Sequence, residues 1–319
     1  MDLTAKAALM MSVIVGALTV GYAARKSGLV RARWSGPLTR NAMIFLQPVL
    51  LALMIWGLKP PGWRTSLLPV LSAALMLAVW PVGRAAADLL GLGGQRKGAF
   101  ILAAMFSNMG LTYGAFICYI LLGEQGAALG LIWCLAFSPM LFTVGLMIGR
   151  HYGREGAEPT RKMIRDTFAD PQTRNVLVGL VVGAALFLLK APRPEWAGPA
   201  VEIMIPASTA IYLFAIGLSL RLTSVVTYWR ECAALGLVKF LVTPIIGLGL
   251  AWLVGLWGAP DHTLLQVAFI QSAAPASIMG LIVARLFGLD QDLANAGWLT
   301  TNLAAIALAP MVLHIAAGM

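Results

Sequence analysis

The chain has 319 residues, of which 60% are hydrophobic and 11% are charged. A soluble domain carries roughly twice that share of charged residues, so the composition excludes an ordinary soluble protein and indicates a polytopic membrane protein. The formal net charge of +10 does not indicate nucleic-acid binding, because the basic residues are distributed over alternate loops and not gathered in one patch. The partner that this composition requires is the lipid bilayer, and no nucleic acid is expected.

Hydropathy predicts an all-α protein with ten transmembrane helices, because about 20 apolar residues of helix cross a bilayer. The predicted spans cover approximately residues 6–23, 41–58, 66–90, 99–122, 127–149, 174–190, 199–221, 232–257, 264–287 and 293–316. The first is interpreted as a retained span and not a signal peptide, because it lacks a convincing cleavage site and runs into a basic loop.

A polar segment with both signs of charge, residues 150–173, separates the fifth span from the sixth. It predicts a cytoplasmic linker between a first five-helix repeat, residues 1–149, and a second, residues 174–319. Because five is odd, the second repeat enters the membrane from the opposite side, which predicts an inverted repeat. Lysine and arginine concentrate on the side of the linker, so both termini are expected outside a bacterial inner (plasma) membrane.

Two spans contain helix-breaking or polar residues at their centres. In the ninth span, Pro275 removes a backbone donor, which predicts a break near Ala274. The fourth span carries the sequence FSNMGLTYG in its middle. Alignment on Gly123 and Gly288 places Ser107, Gly110 and Thr112 on Ser272, Pro275 and Ser277. Interrupted helices at corresponding positions of two halves predict a transporter whose substrate site lies where helices 4 and 9 cross.

The second and seventh spans contain Pro48 and Pro206, again at corresponding positions of the two halves. These prolines predict further interruptions of the helices, because each removes a backbone donor.

At a break, the start of a half-helix exposes N–H groups that favour an anion, and its end exposes carbonyl groups that favour a cation. The candidate substrate-binding residues are Asn108, Gly110, Thr112, Gln271, Ser272, Pro275 and Ser277. The alternative is that these small polar groups only satisfy the broken backbone. No catalytic residues, no metal ligands and no cofactor site are found, so the chain is not predicted to be an enzyme.

Ionisable groups inside spans are candidate functional groups. Lys239, near the middle of the eighth span, either attracts an anion, pairs with a distant acid, or extends its long stem towards the cytosol. Asp88 is the candidate proton-titrating carboxylate, unless it forms only a structural pair with Arg84 four residues earlier. If transport is coupled to an ion, the candidates are H⁺ and Na⁺.

Four loose motifs, which together cover nearly the whole chain, carry a resemblance to a known family. They are GYAARKSGL at 21–29, AIGLSL at 215–220, Ala274-Pro275 followed by Val283-Ala284, Phe287-Gly288 and Asp290, and Asn108 with Gly110. They resemble the auxin efflux carrier (PIN-like) family of transporters. The resemblance implies ten helices in two inverted repeats, with a scaffold and a transport unit that bears the crossover. In one departure, Ala115 stands where that family has a proline, so Gly110 and Gly114 are expected to open the first break.

Together these features predict a secondary transporter that carries a small organic anion, a carboxylate above all, by alternating access. One alternative is a sodium-coupled organic-anion symporter of the bile acid transporter type, although the ninth-helix carboxylate expected in that family is missing. A second alternative is a non-transporting membrane receptor. A homodimer is a further option for the assembly.

Overall fold

The computed structural model describes residues 3–59, 62–153, 171–219, 223–258 and 261–319. The regular secondary structure of these residues is helical and contains no β-strand, which confirms the all-α prediction. The α-helices are α1 (Leu3–Lys26), α2 (Ser35–Trp56), α3 (Leu67–Leu89), α4 (Gly94–Met105), α5 (Gly114–Trp133), α6 (Phe137–Met140), α7 (Leu146–Tyr152), α8 (Pro171–Leu188), α9 (Ala197–Ser219), α10 (Thr223–Thr227), α11 (Trp229–Leu237), α12 (Thr243–Leu253), α13 (Thr263–Ser272), α14 (Ile278–Leu286) and α15 (Gln291–Ala317). Residues 154–170 of the predicted linker lie outside the described ranges.

Several of these helices are of membrane-spanning length and apolarity. Within the described residues there are six such stretches: Ala32–Trp56, Trp63–Leu89, Gly114–Tyr152, Ala197–Leu218, Trp229–Leu253 and Gln291–Ala317. Shorter apolar helices cover Arg174–Leu188 and Thr263–Ser272. The chain is therefore an integral, multi-pass membrane protein.

The stretch Gly114–Tyr152 is too long for a single crossing. Its 39 residues correspond to about 58 Å of helix, roughly twice the thickness of the bilayer hydrocarbon. The chain turns inside it at Gly123, where φ is 65° and ψ is −153°, a conformation essentially restricted to glycine. This turn separates a short helix that ends before Gly123 from a long one that continues to Tyr152 through the π-helical turn Leu141–Gly145.

Helices α2 and α9 run without a break through Pro48 and Pro206, so the predicted interruptions there are wrong. At Pro48 the structure shows how the helix is kept. The missing proline N–H leaves the carbonyl of Ile44 without its helical donor, and Asn175 Nδ2 of α8 donates to that carbonyl over 3.2 Å. A neighbouring helix thus satisfies the freed backbone group, as membrane helices require.

The helices pack as two groups. Helices α1, α2, α8 and α9 pack mainly against one another and are called the frame; α3–α7 and α11–α15 form the main body. Within the frame, the backbones of α1 and α9 are in contact. A Cβ atom added at Gly21 would lie 2.2 Å from the Phe214 carbonyl oxygen, and a Cβ atom added at Gly217 would lie 2.3 Å from the Leu18 carbonyl oxygen. Two motifs of the family resemblance therefore lie at one helix–helix contact.

Candidate functional site

Two non-helical segments of the main body lie side by side. Helix α4 ends at Met105 and α5 begins at Gly114; α13 ends at Ser272 and α14 begins at Ile278. The segments pair antiparallel through Ser107 and Ala276. The Asn108 N–H donates to the Pro275 carbonyl over 2.7 Å, and the Ser277 N–H donates to the Phe106 carbonyl over 2.9 Å. Backbone groups that each break exposes are thus hydrogen-bonded to the other break, inside the protein.

The first break forms without the proline that the related family has. Gly114 is sterically required there, because a Cβ atom would lie 2.2 Å from Gln271 Oε1 and 2.8 Å from the Met109 carbonyl oxygen. Gly110 is not, since its Cβ position has no neighbour within 4 Å and its φ is not positive. Of the two glycines expected to open this break, only Gly114 is required by packing.

Side chains of α15 hold the second break. The Ala276 N–H donates to Thr301 Oγ1 over 3.1 Å, and Asn302 Nδ2 donates to the Ala276 carbonyl over 3.0 Å. Asn302 Oδ1 accepts from Asn108 Nδ2 over 3.3 Å, and the Thr112 hydroxyl donates to Asn108 Oδ1. The Asn108 amide is therefore fixed by protein partners on both of its polar atoms.

Lys239 does not extend towards the cytosol. It lies in the π-helical turn Val238–Val242 and is fully buried. Its Nζ donates to the Phe106 carbonyl over 3.2 Å and to Ser107 Oγ over 2.7 Å. The one basic residue in the middle of this span is thus bound to the first break.

A cleft of about 230 Å³ lies between the frame and the main body, next to both breaks. Of the predicted substrate-binding residues, it is lined by Asn108, Gly110, Thr112 and Ser277; Ser107 also lines it. None of the described residues that line the cleft is charged. The cleft is therefore neutral, with its polar groups concentrated at the two non-helical segments.

Three predicted residues lie outside the lining of the cleft. Gln271 is fully buried, and its Nε2 donates to the Gly130 carbonyl over 2.9 Å, which ties α13 to α5. The Ser272 hydroxyl donates to the Phe269 carbonyl of its own helix over 2.7 Å. Pro275 contributes its carbonyl to the pairing of the breaks. For these three, the contacts in the structure are packing and backbone contacts.

The sequence analysis missed polar residues that the frame and α15 contribute to the cleft: Thr39, Gln47, Tyr212 and Trp298. The Tyr212 hydroxyl and Trp298 Nε1 are buried and have no hydrogen-bond partner among the described residues. Buried donors without a partner are rare in proteins, and here both belong to residues that line one cleft. Gln47 lies on α2 and Tyr212 on α9, the two helices that carry a proline at corresponding positions of the two halves. This correspondence is the feature of the sequence that could have pointed to them.

Comparison with known proteins gives the family. The chain matches the profile of a family described as "membrane transport protein" over residues 8–313. It belongs to this family of auxin efflux carrier-like transporters.

The similar proteins in plants are much longer than this family member. Auxin efflux carrier component 6 of Arabidopsis thaliana is 30% identical over 135 residues, which are 42% of this chain and 22% of that protein. Probable auxin efflux carrier component 1c of Oryza sativa subsp. japonica is 26% identical over 161 residues, 50% of this chain and 26% of that protein. The chain thus spans about a quarter of the length of the relatives it matches.

In this member of the transport family, Asp88 lies away from the cleft. Its side chain is 54% exposed and forms an ion pair with Lys97 at the start of α4. The structure thus gives Asp88 a partner other than Arg84, and that partner lies on the neighbouring helix.

The cleft extends towards one end of the molecule. Thr39 lies near the start of α2, Val176 near the start of α8, and Ile216 near the end of α9. These helix termini lie at the end where the basic loop that follows α1 is found.

At the opposite end, the frame and the main body are joined by an ion pair, here called the Arg193–Glu124 latch. Arg193, between α8 and α9, binds Glu124 with both terminal nitrogens and also donates to the Leu53 carbonyl over 3.3 Å. Trp56 Nε1 donates to the Ala191 carbonyl over 2.9 Å beside it.

Proposed function

We propose that the protein is a secondary transporter that carries a small organic anion, a carboxylate above all, across the membrane by alternating access. The observation that carries the proposal is the neutral cleft beside two interrupted helices, which is lined by Tyr212 and Trp298, two residues whose buried donors have no partner among the described residues. A carboxylate has only acceptor atoms to offer, so it fits a site with spare donors.

The start of α14 adds positive potential to this cleft. Ile278 and Met279, its first residues, line the cleft, and Ser277 caps the helix by accepting from the Met279 N–H over 3.2 Å. The partial positive charge at a helix start stabilises an anion without a full charge in the lining. The aromatic rings of Phe137, Tyr212 and Trp298 also line the cleft and suit an aromatic acid. Since the relatives are auxin efflux carriers, auxin is the first substrate to test.

The architecture we propose for this function is ten crossings in two inverted five-helix repeats. Six come from the long helical stretches, two from α1 and α8, and two from the interrupted pairs of α4 with the start of α5 and α13 with α14. The interrupted helices cross where Ser107 pairs with Ala276, and the main body moves relative to the frame. The positive-inside rule places the open end of the cleft in the cytoplasm and both termini outside.

In this orientation the Arg193–Glu124 latch closes the outer side, so the structure is inward-facing. Lys59 N–H also donates to Gln125 Oε1 over 3.2 Å at this end, again from frame to main body. An outward-facing state requires these contacts to separate.

The proposal is tested by uptake of radiolabelled auxin and other carboxylates into liposomes that contain the purified protein. The Tyr212→Phe change removes an unpartnered hydroxyl, so we expect no loss of thermal stability and substrate affinity lower by about 0.5–1.5 kcal/mol. Tyr113→Phe is the matched control, because the Tyr113 hydroxyl donates to the Ala305 carbonyl over 3.1 Å. It is expected to lower stability and to leave the affinity unchanged.

Binding of a carboxylate without uptake would identify a receptor and not a carrier. Absence of binding by every carboxylate, or equal effects of the two tyrosine changes on affinity, would contradict the proposed site.

A further inference from the structure

An ammonium group occupies the carbonyl end of α4. Phe106 follows the last residue of this helix, and its carbonyl accepts from Lys239 Nζ, which also reaches the Ser107 hydroxyl. The terminal carbonyls of a helix carry partial negative charge, so a cation is stabilised at this place.

No carboxylate neutralises Lys239 among the residues that the structure describes. The ion pairs in those ranges join Arg96 to Glu231 and Asp290, Lys97 to Asp88, and Arg193 to Glu124. Burial of a charge without a counter-charge is costly unless hydrogen bonds compensate it. The partners of Lys239 Nζ within the described residues are therefore a helix-end carbonyl and a hydroxyl, with no counter-charge beside them.

The ammonium is not needed merely to satisfy a broken backbone. At the second break, the carbonyls of Pro275 and Ala276 accept from neutral donors, the Asn108 N–H and Asn302 Nδ2. The carbonyls of the second break are thus satisfied by neutral donors alone, and the Phe106 carbonyl itself also accepts from the neutral Ser277 N–H over 2.9 Å, so the ammonium at the first break has another role.

In transporters built from interrupted helices, the carbonyl ends of half-helices are the places where a coupling cation binds. We propose that Lys239 is a tethered cation that takes the place of an inorganic coupling ion at the end of α4. Its ammonium engages the carbonyl and hydroxyl oxygens that such an ion would use, so anion binding does not require sodium.

Ser107 connects this cation to the cleft. Its oxygen accepts from Lys239 Nζ over 2.7 Å and it lines the cleft, so its own proton is left for an acceptor there. Lys239 thereby balances one negative charge of the substrate without touching it. This second part rests on the proposed function, whereas the tethered cation itself does not.

The test uses the full-length protein without substrate. Its Tm is measured in sodium, potassium and choline chloride at equal ionic strength, and we expect the same Tm in all three. Lys239→Ala is expected to lower the Tm and to regain roughly 2–4 °C with propylammonium, which replaces the lost part of the side chain. Lys97→Ala is the control, because Lys97 pairs with Asp88 away from the break and should gain nothing from the amine.

A sodium-specific rise in Tm of the unmodified protein would overturn the proposal, and so would a Lys239→Ala variant that does not respond to propylammonium. If that variant does not fold, the Tm of Lys239→Arg is compared with that of Lys239→Met. Only arginine keeps a cation at the carbonyl end of α4, so we expect the higher Tm for Lys239→Arg, and equal Tm values for the two would overturn the proposal. The test contains no substrate, so its result does not depend on whether the protein carries carboxylates. Failure of the tethered-cation proposal can therefore be told apart from failure of the proposed function.

Discussion

At the scale of single residues, two amides that the sequence placed together have different environments. Asn108 lines the cleft, whereas Gln271 is fully buried between α13 and α5. Asn108 lies in the first break, whereas Gln271 lies in the last turn of α13, before the second break, and a broken helix no longer keeps the residues before the break in phase with those after it. A pattern of polar residues along the sequence therefore cannot say which of them share a cavity.

The two amides are predicted to differ in what they support. Asn108→Ala should weaken substrate binding by roughly 1–3 kcal/mol, because polar partners at the cleft are left unsatisfied. Gln271→Ala should lower the unfolding temperature, since the tie from α13 to the Gly130 carbonyl of α5 is lost, while the folded protein binds substrate within a few-fold of normal. Binding titrations and thermal unfolding of both variants measure this. A selective loss of affinity in Gln271→Ala would show that its amide contacts the substrate.

At the scale of elements, breaks and turns depend on different properties of glycine. Gly123 supplies a turn with positive φ between two helices, and Gly114 supplies room for the Gln271 side chain. Gly110 supplies neither, although it lies in the same segment as Gly114.

Alanine at these positions is expected to act accordingly. Gly123→Ala should cost about 1–3 kcal/mol of stability, because its backbone conformation is almost closed to other residues. Gly110→Ala should fold with normal stability and place a methyl group in the cleft, which narrows the range of substrate sizes. Thermal unfolding and competition by carboxylates of increasing size test the pair. A stable Gly123→Ala protein would mean that the turn can be replaced by another conformation.

The sequence predicted the apolar helices and both places where the chain leaves the helix, because Pro275 and the polar run after Phe106 are local signals. It failed where the outcome depends on a partner far along the chain. Pro48 does not break α2, because Asn175 satisfies the freed carbonyl, and Lys239 is bound by Phe106, which lies 133 positions earlier. The cleft residues Tyr212 and Trp298 were missed for the same reason, since nothing near them in sequence marks the cavity.

At the scale of the whole molecule, the Arg193–Glu124 latch joins the frame to the main body at one end only. Glu124→Gln should weaken this closure by up to about 1 kcal/mol, roughly a fivefold shift towards the proposed outward-facing state, since the pair is only partly buried. Cys134 lines the cleft, so it serves as the reporter, with Cys118 and Cys232 replaced by alanine. An impermeant thiol reagent added outside should label Glu124→Gln faster.

The matched control for this experiment is Glu195→Gln, because Glu195 is exposed in the same connection as Arg193. It should leave the labelling rate unchanged. Equal acceleration by both changes would mean that net charge, and not the latch, controls access.

Orientation in the membrane is a further prediction at this scale. A reporter fused after Glu158 should read cytoplasmic, and one at Met319 should read external, because lysine and arginine concentrate on the side of the linker. Reporter activity on the same side for both fusions would show that the number of crossings is not ten.

The placement of Lys239 within the main body has an electrical consequence. A moving unit with a tethered positive charge crosses the membrane charged when empty and neutral when it holds a monovalent anion. The membrane voltage then acts on the return of the empty unit and not on the step in which the unit carries the anion. Its contribution is about 2.3 kcal/mol per charge for each 100 mV. In the proposed transporter, an inside-negative potential would draw the empty unit inwards, so each cycle of anion export would move one negative charge out and the membrane potential would drive the export.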